Sequence, residues 1–375
     1  MAEMKVVGLA RLAPLNLEFG DLTVLVGPQA TGKSLLLQLF KLVHDVRAVK
    51  STLKRYAVLT ESPELLAEAY FGEGYTPLLQ DLRVFWNGKP VDFEGGRDRK
   101  ERVFYLPAQR ALVFHQVSWP RPFSDYRRGD PYVVRTFSEH LRLLLESGLG
   151  GEEGVVFPIK RRLHSTIRTR VAKEVFRGTA LKVITDRGLK RLMLETHEGE
   201  RLPYLSWSAG QREFVPLLLG MYWLTPLGKI PRQSVQWVIV EEPEMGLHPA
   251  ALEATLLLLL ELLRRGYKVI VSTHSTVVLD LLFALDVLKE MPLEQSYPAF
   301  RELFNLAAGS HVRELAQAAH QSTYKVYYFD PHRSSAVEVR DITSLDPFAE
   351  DVAIAHWGGL TDFAGRVGDL IAKYS

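Results

Sequence analysis

LTVLVGPQATGKSLLLQLF, residues 22–40, decides the fold of this 375-residue chain. Leu22 to Val26 is an apolar run that predicts a short buried strand. It breaks at Gly27, passes through Pro28, Gln29, Ala30 and Thr31, and re-enters regular structure at Gly32, Lys33 and Ser34. Leu35, Leu36, Leu39 and Leu42 then recur at helical spacing. Strand, G-x-x-x-x-G-K-S loop and helix together form a P-loop in the context it requires. Its glycines let the backbone curl so that successive N–H groups face a phosphate at the positive end of a helix. Lys33 is placed to reach the β- and γ-phosphates, and the Ser34 hydroxyl to hold Mg²⁺. The alternative, a Gly/Pro turn before an amphipathic helix, leaves the G-K-S at the strand–helix junction without a reason. The chain is expected to bind a nucleoside triphosphate.

Composition narrows the setting. The length calls for two or three lobes. Cysteine is absent, which excludes disulfides, thiolate metal sites and cysteine nucleophiles. The N-terminus MAEMKVVGLARLAP lacks an apolar signal segment, and the most apolar run, Thr255 to Leu263, is far shorter than the roughly 20 residues of a membrane span. A cytoplasmic protein with no membrane partner is expected. Charge is uneven. Between Gly95 and Arg201 there are 22 Lys and Arg against 13 Asp and Glu, whereas the remainder carries 24 against 31. A basic middle sits inside an acidic frame.

In order along the chain, two strands (5–9 and 15–19) lead into the P-loop. A helix follows, continuing past Leu42 and giving way to a strand near Val58. Residues 82–86 and 91–93 flank Asn87-Gly88, which predicts a hairpin. A charged loop, 95–102, precedes a strand at 103–106 that ends in Pro107-Ala108-Gln109-Arg110. From 111 to 205 the texture changes to Pro/Trp-rich loops, a helix at 136–147, a Gly-rich linker at 148–154 and a basic helix at 159–177. A hairpin, 180–185 and 191–196, closes the stretch. This is read as an inserted lobe between residues 1–110 and 206–285. Residues 286–375 are expected to add helices, a hairpin (324–329 and 336–339) and a terminal helix (360–374).

Four stretches beyond the P-loop carry chemistry. In VQWVIVEEPEMGLHP, residues 235–249, an apolar strand ends in Glu241 and Glu242, the Walker B arrangement. One carboxylate can hold the Mg²⁺ shell and the next can orient or deprotonate the attacking water. The plain alternative is two solvated glutamates capping a strand. Ser208, Ala209, Gly210 and Gln211 open a helix and can offer N–H groups to an anion, although an ordinary Ser cap gives the same pattern. In VIVSTHS, residues 269–275, a buried strand delivers His274 to the C-terminal sheet edge, where ligands of such sheets bind. Gln109 follows the strand that ends at Pro107.

The order P-loop, Gln, Ser-x-Gly-Gln, Glu-Glu, His resembles the ABC-class ATPases. EEPEMGLHP and STHS make it similar to their soluble SMC/RecF-like and OLD-like (overcoming lysogenization defect) branch. The resemblance spans about residues 1–110 and 204–285. It implies an α/β P-loop NTPase sheet of ABC-ATPase type flanked by helices, with an inserted mixed helical/β lobe. It further implies a homodimer, assembled head to tail on ATP binding, with each ATP between the P-loop of one copy and Ser208 to Gln211 of the other. By this likeness Lys33 and Ser34 bind phosphate and Mg²⁺, with Glu241 as the metal-side carboxylate. Gln109 becomes the metal-contacting, lobe-coupling glutamine. Glu242 is then the catalytic carboxylate, His274 the γ-phosphate sensor and Gly246-Leu247-His248 the turn linking the two sites. The chain departs from the pattern in having Ala209 for Gly and Glu241 for Asp. ATP rather than GTP follows from the likeness alone. No heptad arm and no acidic Toprim nuclease module is recognised, so a nuclease effector would be a separate chain.

In the basic helix, Lys160, Arg161, Arg162, Arg168, Arg170, Lys173 and Arg177 form a candidate contact for double-stranded DNA. A solvated face, or ion pairs with the acidic frame, is the competing reading. ATP-driven work on DNA, in repair or in defence against phage, is the leading expectation. An ATP-gated scaffold controlling a separate effector protein is the alternative.

Overall fold

A computed structural model describes residues 1–94, 100–114, 118–127, 129–226, 234–331 and 336–374. Most of the charged loop expected at 95–102 lies outside them.

The central layer is a six-stranded sheet, in the order Glu338–Asp341, Tyr324–Asp330, Leu22–Val26, Lys268–Ser272, Trp237–Glu241 and Val103–Leu106. All neighbours run parallel except the Glu338–Asp341 edge. The Leu22–Val26, Trp237–Glu241 and Val103–Leu106 strands are buried at every position, as continuous apolar runs in a two-sided parallel sheet must be. Their C-terminal ends share one edge, so Gly27, Ala108, Glu242 and Thr273 all emerge there. The sheet, its flanking helices and the phosphate loop form an α/β layer with the P-loop at the C-terminal edge of a parallel sheet. Residues 286–375 do more than extend it. Tyr324–Asp330 pairs in parallel with the P-loop strand, Tyr324 opposite Leu22 and Tyr328 opposite Val26.

The P-loop helix, Lys33–Arg55, packs between this sheet and a second, antiparallel one formed by residues 15–19, 2–7, 83–86 and 89–90. Phe40 on the helix meets Phe19 of the second sheet at 4.8 Å and Trp237 of the first at 5.1 Å between ring centres. The helix runs to Arg55, and a turn, not the expected strand, follows it. Further along the helix, buried Lys41 pairs with Asp45 at 2.9 Å and donates to the Val103 carbonyl at 2.7 Å. Asp45 accepts from the Arg102 N–H at 2.7 Å. These bonds fasten the Val103–Leu106 edge strand to the P-loop helix, which fixes where Gln109 and Arg110 leave the sheet. The hairpin at Asn87-Gly88 takes the left-handed backbone its residues favour, φ 48° and 73°.

The inserted stretch has a third sheet, residues 201–202, 189–195, 180–186 and 155–157, and a helix, Tyr132–Glu146, that packs on the Val103–Leu106 strand. The single basic helix expected over 159–177 is not formed. Ser165–Val171 is α-helical and is followed by one π-helical turn, Ala172–Phe176. The signature helix, Ala209–Leu224, and the helix Pro249–Arg264 complete the core packing. Among the described residues no helix is long and apolar enough to cross a membrane.

Candidate functional site

The P-loop is shaped by backbone that most side chains avoid: Gly27, Ala30 and Gly32 have φ of 140°, 59° and 93°. A Cβ on Gly27 would stand 2.7 Å from the Phe329 carbonyl oxygen. Lys33 folds back over this loop and donates to the Gly27 and Pro28 carbonyls, both at 2.7 Å. The Thr31 hydroxyl donates to the same Pro28 carbonyl at 2.8 Å. Burial lowers the Lys33 ammonium to a pKa of about 8, with Glu242, Glu241 and Glu244 pulling the other way.

A cleft of about 570 Å³ opens over the loop. Gln29 to Leu35 line it on one side, Glu242 and His274 on another, and Arg11, Leu12 and Tyr75 extend it outward. The P-loop and the two strand-end residues are therefore brought together. Gln109 is not. It is exposed, ahead of a one-turn 3₁₀ helix at Arg110–Val113, and lies outside the cleft lining. Ser208 to Gln211 also lie outside it. They form a reciprocal cap on the signature helix, with Ser208 Oγ accepting from the Gln211 N–H at 3.2 Å and Gln211 Oε1 accepting from the Ser208 N–H at 3.1 Å. Ser208 and Ala209 are exposed there.

Glu241 is almost fully buried. Its Oε2 accepts from the Ala108 N–H at 3.2 Å, while its Oε1 is buried without a hydrogen bond. Burial raises its pKa, opposed by the nearby Ser34 hydroxyl, the Ala108 N–H and the Tyr105 hydroxyl. An orphaned carboxylate oxygen beside a P-loop serine suits a hard divalent cation. Among the described residues no group of three or more His, Asp or Glu could hold a metal. Mg²⁺ shared with substrate phosphates needs none.

Glu242 sits in left-handed backbone, φ 44°, held by its N–H on the Ser272 carbonyl at 2.8 Å. That turn aims its side chain into the cleft, where Oε1 lies 3.7 Å from His274 Nε2. Burial, then Lys33, lowers the His274 pKa, with Glu242 and Glu244 pulling the other way.

Two residues that the sequence reading passed over hold this pair in place. Arg110 is 1% exposed and donates through Nη1 to the Glu241 carbonyl and through Nη2 to the Glu242 carbonyl, the latter at 2.9 Å. Glu244 Oε1 accepts from the Thr273 hydroxyl at 2.9 Å and from the His274 N–H at 2.6 Å. Adjacency to Gln109 and to Glu242 was the only sequence signal for them. The turn after Glu244 runs under the signature helix: a Cβ on Gly210 would meet the Gly246 carbonyl oxygen at 2.9 Å.

The basic stretch is divided. Arg162 donates to the Tyr222 and Thr225 carbonyls at the end of the signature helix. Arg168 donates to the Lys160 and Leu163 carbonyls. Arg170 donates to Glu253 at 2.7 Å and to the Phe304 carbonyl at 3.1 Å. These three guanidiniums are half-buried and bonded within the chain, to carbonyls and to Glu253. Lys160, Arg161, Lys173 and Arg177 are exposed.

Residues 177–280 match the family model described as "AAA domain, putative AbiEii toxin, Type IV TA system". No curated protein matches the chain. Among solved structures it is similar to the SMC head domain from Thermotoga maritima, at 11% identity and a TM-score of 0.38 over 90% of this chain and 97% of that one. An SMC head bound to the C-terminal winged-helix domain of ScpA aligns at 11% identity and 0.42 over the same shares. The dimeric ATP-binding cassette MJ0796 bound to ADP and Pi aligns at 12% identity and 0.35, over 74% and 89%.

Proposed function

We propose that this chain is an ATPase that hydrolyses Mg-ATP in a head-to-tail homodimer of the OLD-like kind, with one ATP in each of two composite sites. One observation carries the reading: Lys33, Ser34, Glu241, Glu242 and His274 come from three separate stretches and converge at a single sheet edge. Loop N–H groups between Gly27 and Ser34 cradle the phosphates, and Lys33 leaves the Gly27 and Pro28 carbonyls to meet them. Ser34 and Glu241 would hold Mg²⁺, which would supply charge neutralisation at the phosphate oxygens. Glu242 takes the proton of the attacking water. His274, with Nε2 3.7 Å from Glu242 Oε1, donates to or orients the γ-phosphate. Gln109, at the exit from the sheet into the inserted lobe, links that lobe to the nucleotide. Ser208 to Gln211 close over the partner copy's ATP with the N–H groups of an exposed helix start.

Two readings remain for what the cycle drives. The first is work on double-stranded DNA, in repair or defence against phage, through the exposed Lys160, Arg161, Lys173 and Arg177. The second is a gate on a separate effector protein, favoured by the internal use of Arg162, Arg168 and Arg170, which thins the cationic face. The Glu242→Gln variant decides both layers. It is expected to bind ATP, to lose at least ~10²-fold in turnover and to accumulate as a dimer. Normal hydrolysis by this variant removes Glu242 as the base. ATP-dependent binding of double-stranded DNA that weakens steeply with salt supports the first reading. Absence of DNA binding with and without ATP leaves the effector gate.

A further inference from the structure

Arg110 and Glu213 face one another across the seam between the Walker B strand end and the signature helix. Arg110 Nε and Glu213 Oε2 are 3.9 Å apart, and each is buried without a hydrogen bond. The other edge of the guanidinium is fully engaged: Nη1 on the Glu241 and Pro107 carbonyls, Nη2 on the Glu242 carbonyl. Glu213 lies in the second turn of the signature helix, two residues past Gln211. Its stem also contacts the turn that follows the catalytic strand, since a Cβ on Gly246 would meet Glu213 Cγ at 3.3 Å. Burial raises the Glu213 carboxyl pKa and Arg110 pulls it back.

Two orphaned buried atoms of opposite charge are an unstable arrangement. They pair by charge at 3.9 Å, and neither atom makes a hydrogen bond. A shift of about 1 Å brings them to hydrogen-bond distance. The helix that carries Glu213 begins at Ser208, the exposed end available to a second copy. The guanidinium it would engage grips the backbone of both carboxylates, so motion at one end is delivered at the other.

We propose that Arg110 and Glu213 form a latch that closes when Ser208–Gln211 engage a nucleotide held by the partner copy, and that closure sets the Glu241–Glu242 backbone for hydrolysis in the same protomer. The inference rests on the head-to-tail dimer proposed above. Arg110 and Glu213 are positioning residues, because neither lines the nucleotide cleft. The latch makes each site responsive to occupation of the other, in the sense of a coupling free energy between two sites.

The test is Glu213→Gln in the full chain, which keeps side-chain volume and removes the charge without emptying the Arg110 pocket. Binding of a fluorescent ATP analogue to dilute protein is expected to stay within ~2-fold of wild type. The kcat is expected to fall ~10-fold with KM little changed, and cooperativity in ATP is expected to drop towards none. A merely structural role would lower melting temperature and leave that cooperativity intact. Glu213→Asp, which keeps the charge at shorter reach, is expected to fall between wild type and Glu213→Gln, and it serves if Glu213→Gln does not fold. Wild-type kcat and cooperativity in these variants overturn the latch while leaving the dimer standing. Wild-type turnover per chain that does not depend on protein concentration overturns the dimer, and the latch with it.

Discussion

The His274 N–H donates to Glu244 Oε1 at 2.6 Å, and the Thr273 hydroxyl donates to the same oxygen at 2.9 Å. The turn after one parallel strand thus holds the turn after its neighbour, and the imidazole stays 3.7 Å from Glu242. In Glu244→Ala both donors lose their acceptor inside the protein. The expected result is a kcat lowered by about 10- to 100-fold with KM changed much less, because the interaction lost serves the transition state more than ground-state binding. Steady-state hydrolysis measures it, and an unchanged kcat removes Glu244 as the support of His274.

Lys33 gives a pH dependence with a definite sign. In the free protein its pKa is lowered from 10.5 to about 8, chiefly by burial. A phosphate group in the loop favours the charged ammonium and raises that pKa. Binding therefore draws in a proton above pH 8, and affinity falls as pH rises through the window between the free and bound values. Titrations of an ATP analogue are expected to weaken from about pH 8 upward, approaching tenfold per pH unit, with a plateau below. Lys33→Met binds more weakly throughout and shows no such slope. A flat wild-type profile between pH 8 and 10 contradicts the desolvated lysine.

Gly27 joins the nucleotide loop to the far end of the sequence. Its φ of 140° is open to glycine and costly for other residues, and an added Cβ meets the Phe329 carbonyl oxygen at 2.7 Å. Phe329 belongs to the strand that pairs with the P-loop strand and cannot yield without breaking that pairing. Gly27→Ala is expected to cost about 2–4 kcal/mol of stability together with much of the ATP affinity. Chemical denaturation followed by nucleotide titration tests both. A variant as stable as wild type shows that the strand does yield.

What the sequence disclosed follows from the range of the forces concerned. Pro249–Arg264 was legible because its start is local chemistry: Pro249 at the first helical position and the His248 ring accepting from the Ala250 N–H. Glu241 and Glu242 were legible because a buried strand has to end where its apolar run ends. The place of Tyr324–Asp330 beside Leu22–Val26 was not, since parallel pairing across some three hundred residues leaves no local trace. Arg110 was hidden for a related reason. A lone arginine after a strand looks solvated until the fold supplies the Glu241 and Glu242 carbonyls. The basic stretch hid its own contacts for the same reason. Its charge density suggested a surface, whereas Arg162 and Arg170 turn inward to the carbonyls at the ends of the Ala209–Leu224 and Leu293–Leu303 helices, where backbone acceptors lack partners.

That inward turn yields the final prediction, which separates stability from nucleic-acid contact. Arg170 joins the inserted lobe to two core helices, through Glu253 at 2.7 Å and the Phe304 carbonyl at 3.1 Å. Arg170→Ala leaves that carbonyl and carboxylate without their donor, at an expected cost of about 1–3 kcal/mol. The combined change Lys160→Glu, Arg161→Glu and Lys173→Glu touches only exposed cations and is expected to shift stability by less than about 0.5 kcal/mol for each. If the lobe contacts phosphates, the triple variant weakens DNA binding and flattens its salt dependence, while a Glu242→Gln background keeps the ATP-bound dimer in place. Arg170→Ala at a temperature where it remains folded is expected to bind DNA nearly as well as the parent. Equal loss of DNA binding in both variants would return Arg170 to the contact surface and refute its assignment as an internal clasp.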